Sequence, residues 1–315
     1  MALDALLEGV SRKDLAAAAE KMSAGYRRGA TSQAIATPLQ AKAYAVSRMP
    51  ATYAACAAVF ARLSEVMPDF APASLLDVGA GTGAASWAAV TAWPGISSVT
   101  MLDRNPALRD LARKLADAGL PGNEILSGDV TVEKPKADLV VASYVLAEFP
   151  EDECAAIAAE LWKSAEVALA LIEPGTPDGF ARIRTARAAL IEASAHVAAP
   201  CTHDNACPMS GWSVRESGSD QQKDWCHFSQ RLSRSRDHML LKDAHVPFED
   251  ERYSYVVVTR EKISSGARIL APPLEEKRGL TFKLCDENGL RAQFVAVRDK
   301  DEYRRVRKRG WGDLF

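Results

Sequence analysis

A glycine-rich turn between an apolar run and an alanine-rich segment constrains the fold of this 315-residue chain more than any other feature. The stretch "SLLDVGAGTGAASWAA" places Gly79, Gly81 and Gly83 where a buried strand gives way to a helix. Glycines at such a turn let the backbone approach a ligand closely, and the first turn of the helix offers unpaired N–H groups. The sequence therefore predicts a ligand-binding loop between the first strand and the first helix of an α/β domain.

Short apolar runs alternate with helical segments from Ser74 to "VALALIEPG", which is typical of a parallel, doubly wound sheet. The alanine-rich segment before Ser74 predicts helices that Pro50 interrupts. Strand patterns return in "YSYVVVTR", "ARILAPP", "LTFKLCD" and "RAQFVAVR", after a loop-like stretch that contains cysteines. We predict four parts: an N-terminal helical region at 1–70, a Rossmann-like domain at 71–197, a Cys-rich metal-binding insert at 198–245, and final sheet strands with a small β extension and a basic tail at 246–315.

Three aspartates accompany the glycine loop. Asp77 lies just before the first glycine, where a carboxylate can meet a cationic ligand. Asp103 ends the second predicted strand and can accept hydrogen bonds from ribose hydroxyls, while Asp129 ends the third and can meet an adenine edge. The glycine spacing also satisfies the dinucleotide pattern G-x-G-x-x-A, and a tight turn beside an empty crevice is the structural alternative.

The loop and the two strand-end acids together resemble the S-adenosylmethionine site of class I methyltransferases, which favours that fold over an NAD-binding domain. Methyl transfer from this activated donor needs mainly alignment of an acceptor in a dry site. The acceptor would enter near "ASYVLAEF", where Tyr144 can line the pocket or simply pack, and Glu148 can accept a proton; no catalytic residue is assigned. The resemblance implies that S-adenosylmethionine is held by Asp77, Gly79, Gly81, Gly83, Asp103 and Asp129.

The cysteines divide into two kinds of sequence environment. Cys56 and Cys154 fall in helical patterns and are predicted to pack as small buried hydrophobes. Cys201, Cys207 and Cys226 lie in a stretch rich in Pro, Ser and Gly. In a reducing compartment, clustered thiols bind metal or react more often than they form disulfides.

A nucleophile, a metal ligand and an unpaired thiol are the alternatives for the clustered cysteines. "APCT" resembles the Pro-Cys element of RNA cytosine-C5 methyltransferases, but Cys201 follows the fifth strand rather than the fourth, which makes a nucleophile the minor alternative. With Cys285 the cluster offers four thiolates, which suit tetrahedral zinc or an iron–sulfur cluster. His203 and His227 can replace a thiolate in a mixed zinc site, whereas Cys285 is the cysteine for which an unpaired thiol remains most plausible.

Five segments, "SLLDVGAGTGAASWAA", "IEPGTPDGF", "APCTHDNACPM", "DWCHFSQRL" and "RGWGD", resemble the methyltransferase-like assembly factors of the small ribosomal subunit, which occur in mitochondria and have bacterial relatives. The resemblance extends from about Arg48 to the end of the sequence. It implies a four-iron, four-sulfur (4Fe–4S) cluster, with zinc as the alternative, and association with small-subunit rRNA and its pre-ribosomal particle. The cysteines that would hold the cluster are Cys201, Cys207, Cys226 and Cys285.

The net charge of −2 provides no global attraction to nucleic acid, so RNA contact requires a local patch. The segment "RDKDEYRRVRKRGWGDLF" is basic, and Tyr303 and Trp311 within it can stack on exposed bases; a solvated helix end is the alternative. A second patch lies in "SQRLSRSRDH". The basic residues are Arg298, Lys300, Arg304, Arg305, Arg307, Lys308 and Arg309 in the first patch, and Arg231, Arg234 and Arg236 in the second.

Location and function follow from these features as expectations. No run of about twenty apolar residues is present and the first residues lack a signal-peptide core, so we predict a cytoplasmic monomer that does not bind membranes. The polar stretch Ser213–Lys223 predicts an exposed excursion. We expect an rRNA-binding assembly or translation factor of the small subunit. The alternatives are an active S-adenosylmethionine-dependent rRNA methyltransferase with a structural metal site, and a small-molecule or protein methyltransferase with a zinc staple.

Overall fold

The structure, a computed structural model, describes residues 5–26, 31–209, 224–263 and 266–315. The exposed excursion predicted for Ser213–Lys223 lies outside these residues. The helices are α1 (Arg12–Tyr26), α2 (Pro38–Val66), α3 (Ala84–Ala92), α4 (Pro106–Ala116), α5 (Cys154–Ser164), α6 (Pro177–Glu192), α7 (Arg236–Leu241) and α8 (Lys300–Val306). The strands are β1 (Ser74–Val78), β2 (Ser98–Asp103), β3 (Asn123–Ser127), β4 (Ala137–Ser143), β5 (Ala165–Pro174), β6 (His196–Ala199), β7 (Phe228–Ser233), β8 (Phe248–Thr259), β9 (Arg268–Ile269), β10 (Leu274–Glu276), β11 (Gly279–Asp286) and β12 (Gly289–Ala296).

The main sheet has the strand order β3-β2-β1-β4-β5-β8-β6, with β7 paired to β8. Strands β1 to β5 are parallel, whereas β8 runs antiparallel to β5 and to β6. A dinucleotide-binding domain continues its parallel order 3-2-1-4-5-6 without such a reversed strand. The order confirms the predicted class I methyltransferase fold and argues against the NAD-binding alternative.

Both faces of the sheet are covered, which explains why its central strands read as continuous apolar runs. Leu75 and Leu76 are neighbours on β1 and point to opposite faces. Leu75 packs in a cluster with Phe60 of α2, while Leu76 packs in a second cluster with Leu161 of α5 and Ile183 of α6. Hydrophobic clusters on both faces of the sheet therefore support its carboxyl edge.

Helix α2 runs through Pro50 without a break, so the predicted interruption is wrong. The helix starts in a capping box, in which Thr37 Oγ1 accepts from Gln40 N and Gln40 Oε1 accepts from Thr37 N. Pro50 removes one backbone donor, but Phe60 and Leu63 farther along the helix are fully buried against the sheet. Burial of this long face outweighs the local cost of the proline.

Residues 200–247 lie between β6 and β8, so the cysteine-bearing segment is inserted near the end of the main sheet. The sequence pattern predicts loop for residues 198–228 and missed β6, and it did not predict β7 and α7, which the structure places in the later part of this segment. A second, four-stranded sheet is formed by β9, β10, β11 and β12. Its inner face packs Phe282 and Val295 against Val306 of α8. No described helix is long and apolar enough to span a bilayer.

Candidate functional site

The carboxyl ends of β1, β2 and β4 border a cavity of about 550 Å³, which we call the donor cavity. Asp77 lies behind the glycine loop, where its Oδ2 accepts from the backbone N (3.1 Å) and the Oγ (2.7 Å) of Ser86. Four of the predicted donor-binding residues line the cavity: Gly79, Gly81, Asp103 and Asp129.

The glycines of the loop have backbone angles that favour glycine, with φ of +69° at Gly79, +56° at Gly81 and +82° at Gly83. A Cβ on Gly79 would lie 2.4 Å from Cγ2 of Val145, in the turn after β4. A Cβ on Gly81 would meet nothing closer than the Tyr44 ring, at 3.9 Å. Gly79 thus lets the loop pack against its neighbour, and Gly81 leaves backbone facing the donor cavity.

The Asp103 carboxylate is fixed at the end of β2 by two backbone donors. Its Oδ2 accepts from Gly81 N and its Oδ1 from Asn105 N, both at 2.7 Å. Each oxygen keeps a further lone pair, so the carboxylate can accept one hydrogen bond from each of two ribose hydroxyls. Asp129 is half-buried and accepts from Oγ1 (2.6 Å) and N (2.9 Å) of Thr131, which lowers the pKa of its carboxyl.

A segment ahead of α2 closes over the donor cavity. Nδ2 of Asn105 donates to the carbonyls of Ser32 (2.8 Å) and Ile35 (2.9 Å). Glu148 accepts from Ser32 N at 3.0 Å and from Nη2 of Arg104 at 2.8 Å. The sequence offers Glu148 as a candidate proton acceptor. In the structure its carboxylate holds the segment ahead of α2 in place over the donor cavity.

The turn after β4 is held in an unusual conformation. Tyr144 has a φ of +60°, rare for a large side chain, and its Oη donates to Oε1 of Glu251 at 2.6 Å. The buried carboxylate of Glu173 accepts from Leu146 N (2.7 Å) and Ala147 N (3.0 Å), and burial raises the pKa of Glu173 to about 8. Sequence reasoning missed Glu173 and Glu251, although an acid in "IEPG" at a strand end was a signal for the former.

Beside the donor cavity opens a second cavity of about 1110 Å³. The two cavities share Ser32, Tyr44, Tyr144 and Glu148 in their walls. This second cavity adjoins the turn after β4, where the sequence predicts that a methyl acceptor would enter.

The cysteines predicted to bind metal line one further cavity, of about 560 Å³, which we call the cysteine cavity. Its walls come from α6, the residues that follow β6, the segment before β7, the residue after β9, and strands β8, β11 and β12. Within the described ranges, no three His, Cys, Asp or Glu side chains converge closely enough to hold a single metal ion. The cysteines, all free, are Cys201, Cys207, Cys226 and Cys285.

Burial raises the pKa of the Cys207 and Cys226 thiols, and raises that of Cys285 to about 12; neighbouring cysteines add to each increase. Metal binding has to displace these protons. His203 is buried, and its Nε2 lies 3.8 Å from Sγ of Cys285. His227 instead engages the Trp225 carbonyl at 3.0 Å, and so contributes to the structure of the segment before β7.

The cysteine cavity is tied to the rest of the fold by a buried arginine and a serine. Arg268 donates to the carbonyls of Pro200 (3.1 Å) and Gly312 (2.9 Å), and pairs with Glu65 of α2 at 2.8 Å. Ser254 Oγ on β8 donates to the Cys226 carbonyl at 2.8 Å. Cys56 and Cys154, by contrast, are fully buried in the two clusters that flank the main sheet.

Comparison with known proteins adds the decisive observation. The sequence model of a family described as "Mitochondrial small ribosomal subunit Rsm22" matches residues 38–315. The chain belongs to the Rsm22 family. The resemblance to methyltransferase-like assembly factors of the small ribosomal subunit is thereby confirmed.

Two curated relatives match most of the chain. The human "Ribosome assembly protein METTL17, mitochondrial" is 27% identical over 86% of this chain and 61% of the relative. The Schizosaccharomyces pombe "Rsm22-cox11 tandem protein 2, mitochondrial" is 29% identical over 89% of this chain and 43% of the relative. The chain thus spans between about two-fifths and three-fifths of the length of these relatives. Because they are named as mitochondrial proteins, the prediction of a cytoplasmic location is wrong.

Solved structures with a similar fold include two methyltransferases. Magnesium protoporphyrin IX methyltransferase from Synechocystis, with S-adenosylmethionine bound, is 15% identical, with a TM-score of 0.42 over 67% of this chain and 80% of that one. Precorrin-6y C5,15-methyltransferase from Geobacter metallireducens is 14% identical, with a TM-score of 0.39 over 63% of this chain and 84% of that one.

The basic surfaces of this Rsm22-family chain differ in part from expectation. Trp311 packs edge-on against His227 at 5.0 Å, and Tyr303 packs against the core of the second sheet, so each ring has part of its surface engaged within the fold. In the second patch, Arg231 pairs with Asp250 and Arg234 with Glu249, each at 2.8 Å. The first patch keeps its basic side chains exposed: Arg298, Lys300, Arg304, Arg305, Arg307, Lys308 and Arg309.

Proposed function

We propose that this chain is an assembly factor of the small ribosomal subunit that binds rRNA, holds S-adenosylmethionine in the donor cavity, and holds a 4Fe–4S cluster in the cysteine cavity. Membership of the Rsm22 family supports the ribosomal role, and its human relative is named as a ribosome assembly protein. The observation that supports the cluster is that four cysteines, distant in sequence, line one cavity.

The arrangement of the four cysteines around one cavity is compatible with a cluster, which the family resemblance implies. A tetrahedral zinc site needs its ligands at about 2.3 Å from one point, so the thiolates must nearly touch. The part of the chain that the structure describes contains no such convergence. A 4Fe–4S cluster binds each thiolate through a different iron, so its ligands stand farther apart around a larger space. The cysteine cavity, which all four thiols line, is compatible with that arrangement.

The cluster would stabilise the fold by linking separate segments of the chain. When bound, it supplies four iron–thiolate bonds and a redox centre. Its cysteine ligands would lie two residues after β6, in the following loop, in the segment before β7, and in β11. Because a metal centre that binds only the folded chain stabilises the fold, loading would fix the inserted segment against both sheets.

The polar groups that line the donor cavity are suited to S-adenosylmethionine. Bound S-adenosylmethionine supplies an activated methyl group. Gly81 offers backbone where a side chain would fill the cavity, Asp103 offers two oriented carboxylate oxygens, and Asp129 faces the same space. Asp77 would act indirectly, because its carboxylate fixes the start of α3 through Ser86.

Anaerobic purification with metal and sulfide analysis tests the cluster. We expect brown protein with about four iron and about four sulfide per chain, and loss of both in Cys226→Ser. Cys154→Ala, which changes a cysteine buried on α5 away from the cavity, serves as the control and keeps the cluster. Colourless wild-type protein that carries zinc or no metal would overturn the proposal.

A further inference from the structure

We propose that Arg187 is the counter-charge of the cysteine cavity: its guanidinium offsets the negative charge of the bound cluster and fixes the loop between two of its ligands. This inference rests on the cluster proposed above. Arg187 belongs to α6 and lines the cavity beside Cys201 and Cys207.

The contacts of Arg187 are those of a buried cation held by neutral groups. Only 6% of the side chain is exposed. Its Nη2 donates to the carbonyls of His203 (2.8 Å) and Asn205 (2.9 Å), both in the loop from Cys201 to Cys207. Its Nε is buried and has no acceptor among the described residues.

Comparison with the other buried arginine shows what Arg187 lacks. Arg268, fully buried nearby, is neutralised by Glu65 at 2.8 Å. In the described part of the chain, by contrast, Arg187 forms no ion pair with a carboxylate; its hydrogen bonds go to carbonyls. A buried charge without a partner is destabilising, so folding favours an anionic group near Arg187. The cavity wall that carries Arg187 also carries the four cysteines, which become thiolates when they bind the cluster.

A charge beside a redox cluster has a measurable consequence. A 4Fe–4S core with four thiolates is anionic, and it gains another negative charge when it is reduced by one electron. A neighbouring guanidinium therefore favours the reduced form, and its removal makes the reduction potential more negative. The two carbonyl contacts have a separate effect, since they slow the opening of the loop that shields Cys201 and Cys207.

The test compares the full-length wild type with Arg187→Lys and Arg187→Met after anaerobic cluster reconstitution. We expect Arg187→Met to lower the ratio of reduced to oxidised cluster at a fixed potential by at least about ten-fold, measured by redox titration with paramagnetic resonance detection. Arg187→Lys keeps the charge and loses the planar fork, so its potential should stay near that of the wild type while its cluster bleaches faster in air. Arg260→Met, which removes an arginine bound to the Trp162 and Ala165 carbonyls elsewhere, is the matched control.

The outcomes separate this inference from the proposed function. If wild-type protein takes up no iron, the cluster itself fails. If wild type, Arg187→Met and Arg260→Met load equally and have equal potentials, the cluster stands and the counter-charge is refuted. Should Arg187→Met fail to fold, the Arg187→Lys variant provides the test. If this variant, which keeps the charge, also lowers the ratio of reduced to oxidised cluster by about ten-fold at a fixed potential, a role through charge is contradicted.

Discussion

At the scale of single residues, the least expected group is Glu173, a carboxylate that is fully buried at the end of β5. It holds the turn after β4 by accepting from Leu146 N and Ala147 N, and this turn carries Tyr144 into the wall shared by the donor cavity and its neighbour. Burial raises the pKa of Glu173 to about 8, against the smaller opposing effect of its two backbone donors. A site that depends on this turn therefore depends on a group that titrates near neutral pH.

The free energy of unfolding of the protein should depend on pH because Glu173 titrates. The folded chain keeps the Glu173 proton at pH values where the unfolded chain has lost it, so this group's contribution to the free energy of unfolding falls as pH rises from about 4.5 to about 8. The slope within that window is at most about 1.4 kcal/mol per pH unit. Urea unfolding across the window should show this slope in the wild type and lose it in Glu173→Gln. Glu166→Gln, at an exposed position on the same strand, is the control, and an unchanged slope in Glu173→Gln would contradict the assignment.

At the scale of elements, the glycine loop and the turn after β4 are packed into one another. Gly79 faces Val145 so closely that a methyl group has no room, while Gly81 faces the donor cavity. The two glycines have similar backbone angles but different neighbours. Substitution of the first therefore tests packing of the loop, and substitution of the second tests access of a ligand to the loop.

Alanine at each glycine should therefore produce different losses. Gly79→Ala combines a strained φ with a clash and should lower the free energy of unfolding by about 2–4 kcal/mol. Gly81→Ala has only the strain and should cost about 1 kcal/mol, yet it should weaken S-adenosylmethionine binding at least ten-fold by filling the cavity. Urea unfolding and titration calorimetry measure the two quantities. Equal stability losses in the two variants would show that the contact with Val145 carries no weight.

Elements set by local pattern were predictable, and elements set by distant partners were not. The alternation of apolar runs and helical segments from Ser74 onward gave β1 to β5 and the helices between them. Strand β6 has four residues and, among the described strands, pairs with β8 alone, far along the chain, so no local signal marks it. The cysteines were found by residue type and resemblance. Arg187 carried no local signal of its partners, and the strand-end position of Glu173 did not show which backbone groups it would bind.

At the scale of the whole molecule, the basic surface and the cysteine cavity form one connected unit. The segment after α8 is anchored by Asp313, which pairs with Arg62 of α2 at 2.7 Å, and by Gly312, whose carbonyl accepts from Arg268. Trp311 packs against His227, next to Cys226. The exposed arginines and lysine just before Trp311 are thus presented from a surface that the cysteine-bearing segment helps to hold.

If this surface meets rRNA, its charges should appear in the salt dependence of binding. Each phosphate that a cation neutralises adds about 0.7 to the slope of log affinity against log salt for single-stranded RNA. Replacing Arg307, Lys308 and Arg309 by glutamine should therefore weaken binding of a labelled small-subunit rRNA fragment and reduce that slope by about two. Glutamine at Arg113, Lys114 and Lys163, exposed positions on α4 and α5, removes the same charge elsewhere and should change neither quantity by as much. Equal effects of the two triple variants would mean that only the net charge matters. A slope unchanged in both would mean that this basic surface is solvated, because counterion release requires direct phosphate contact.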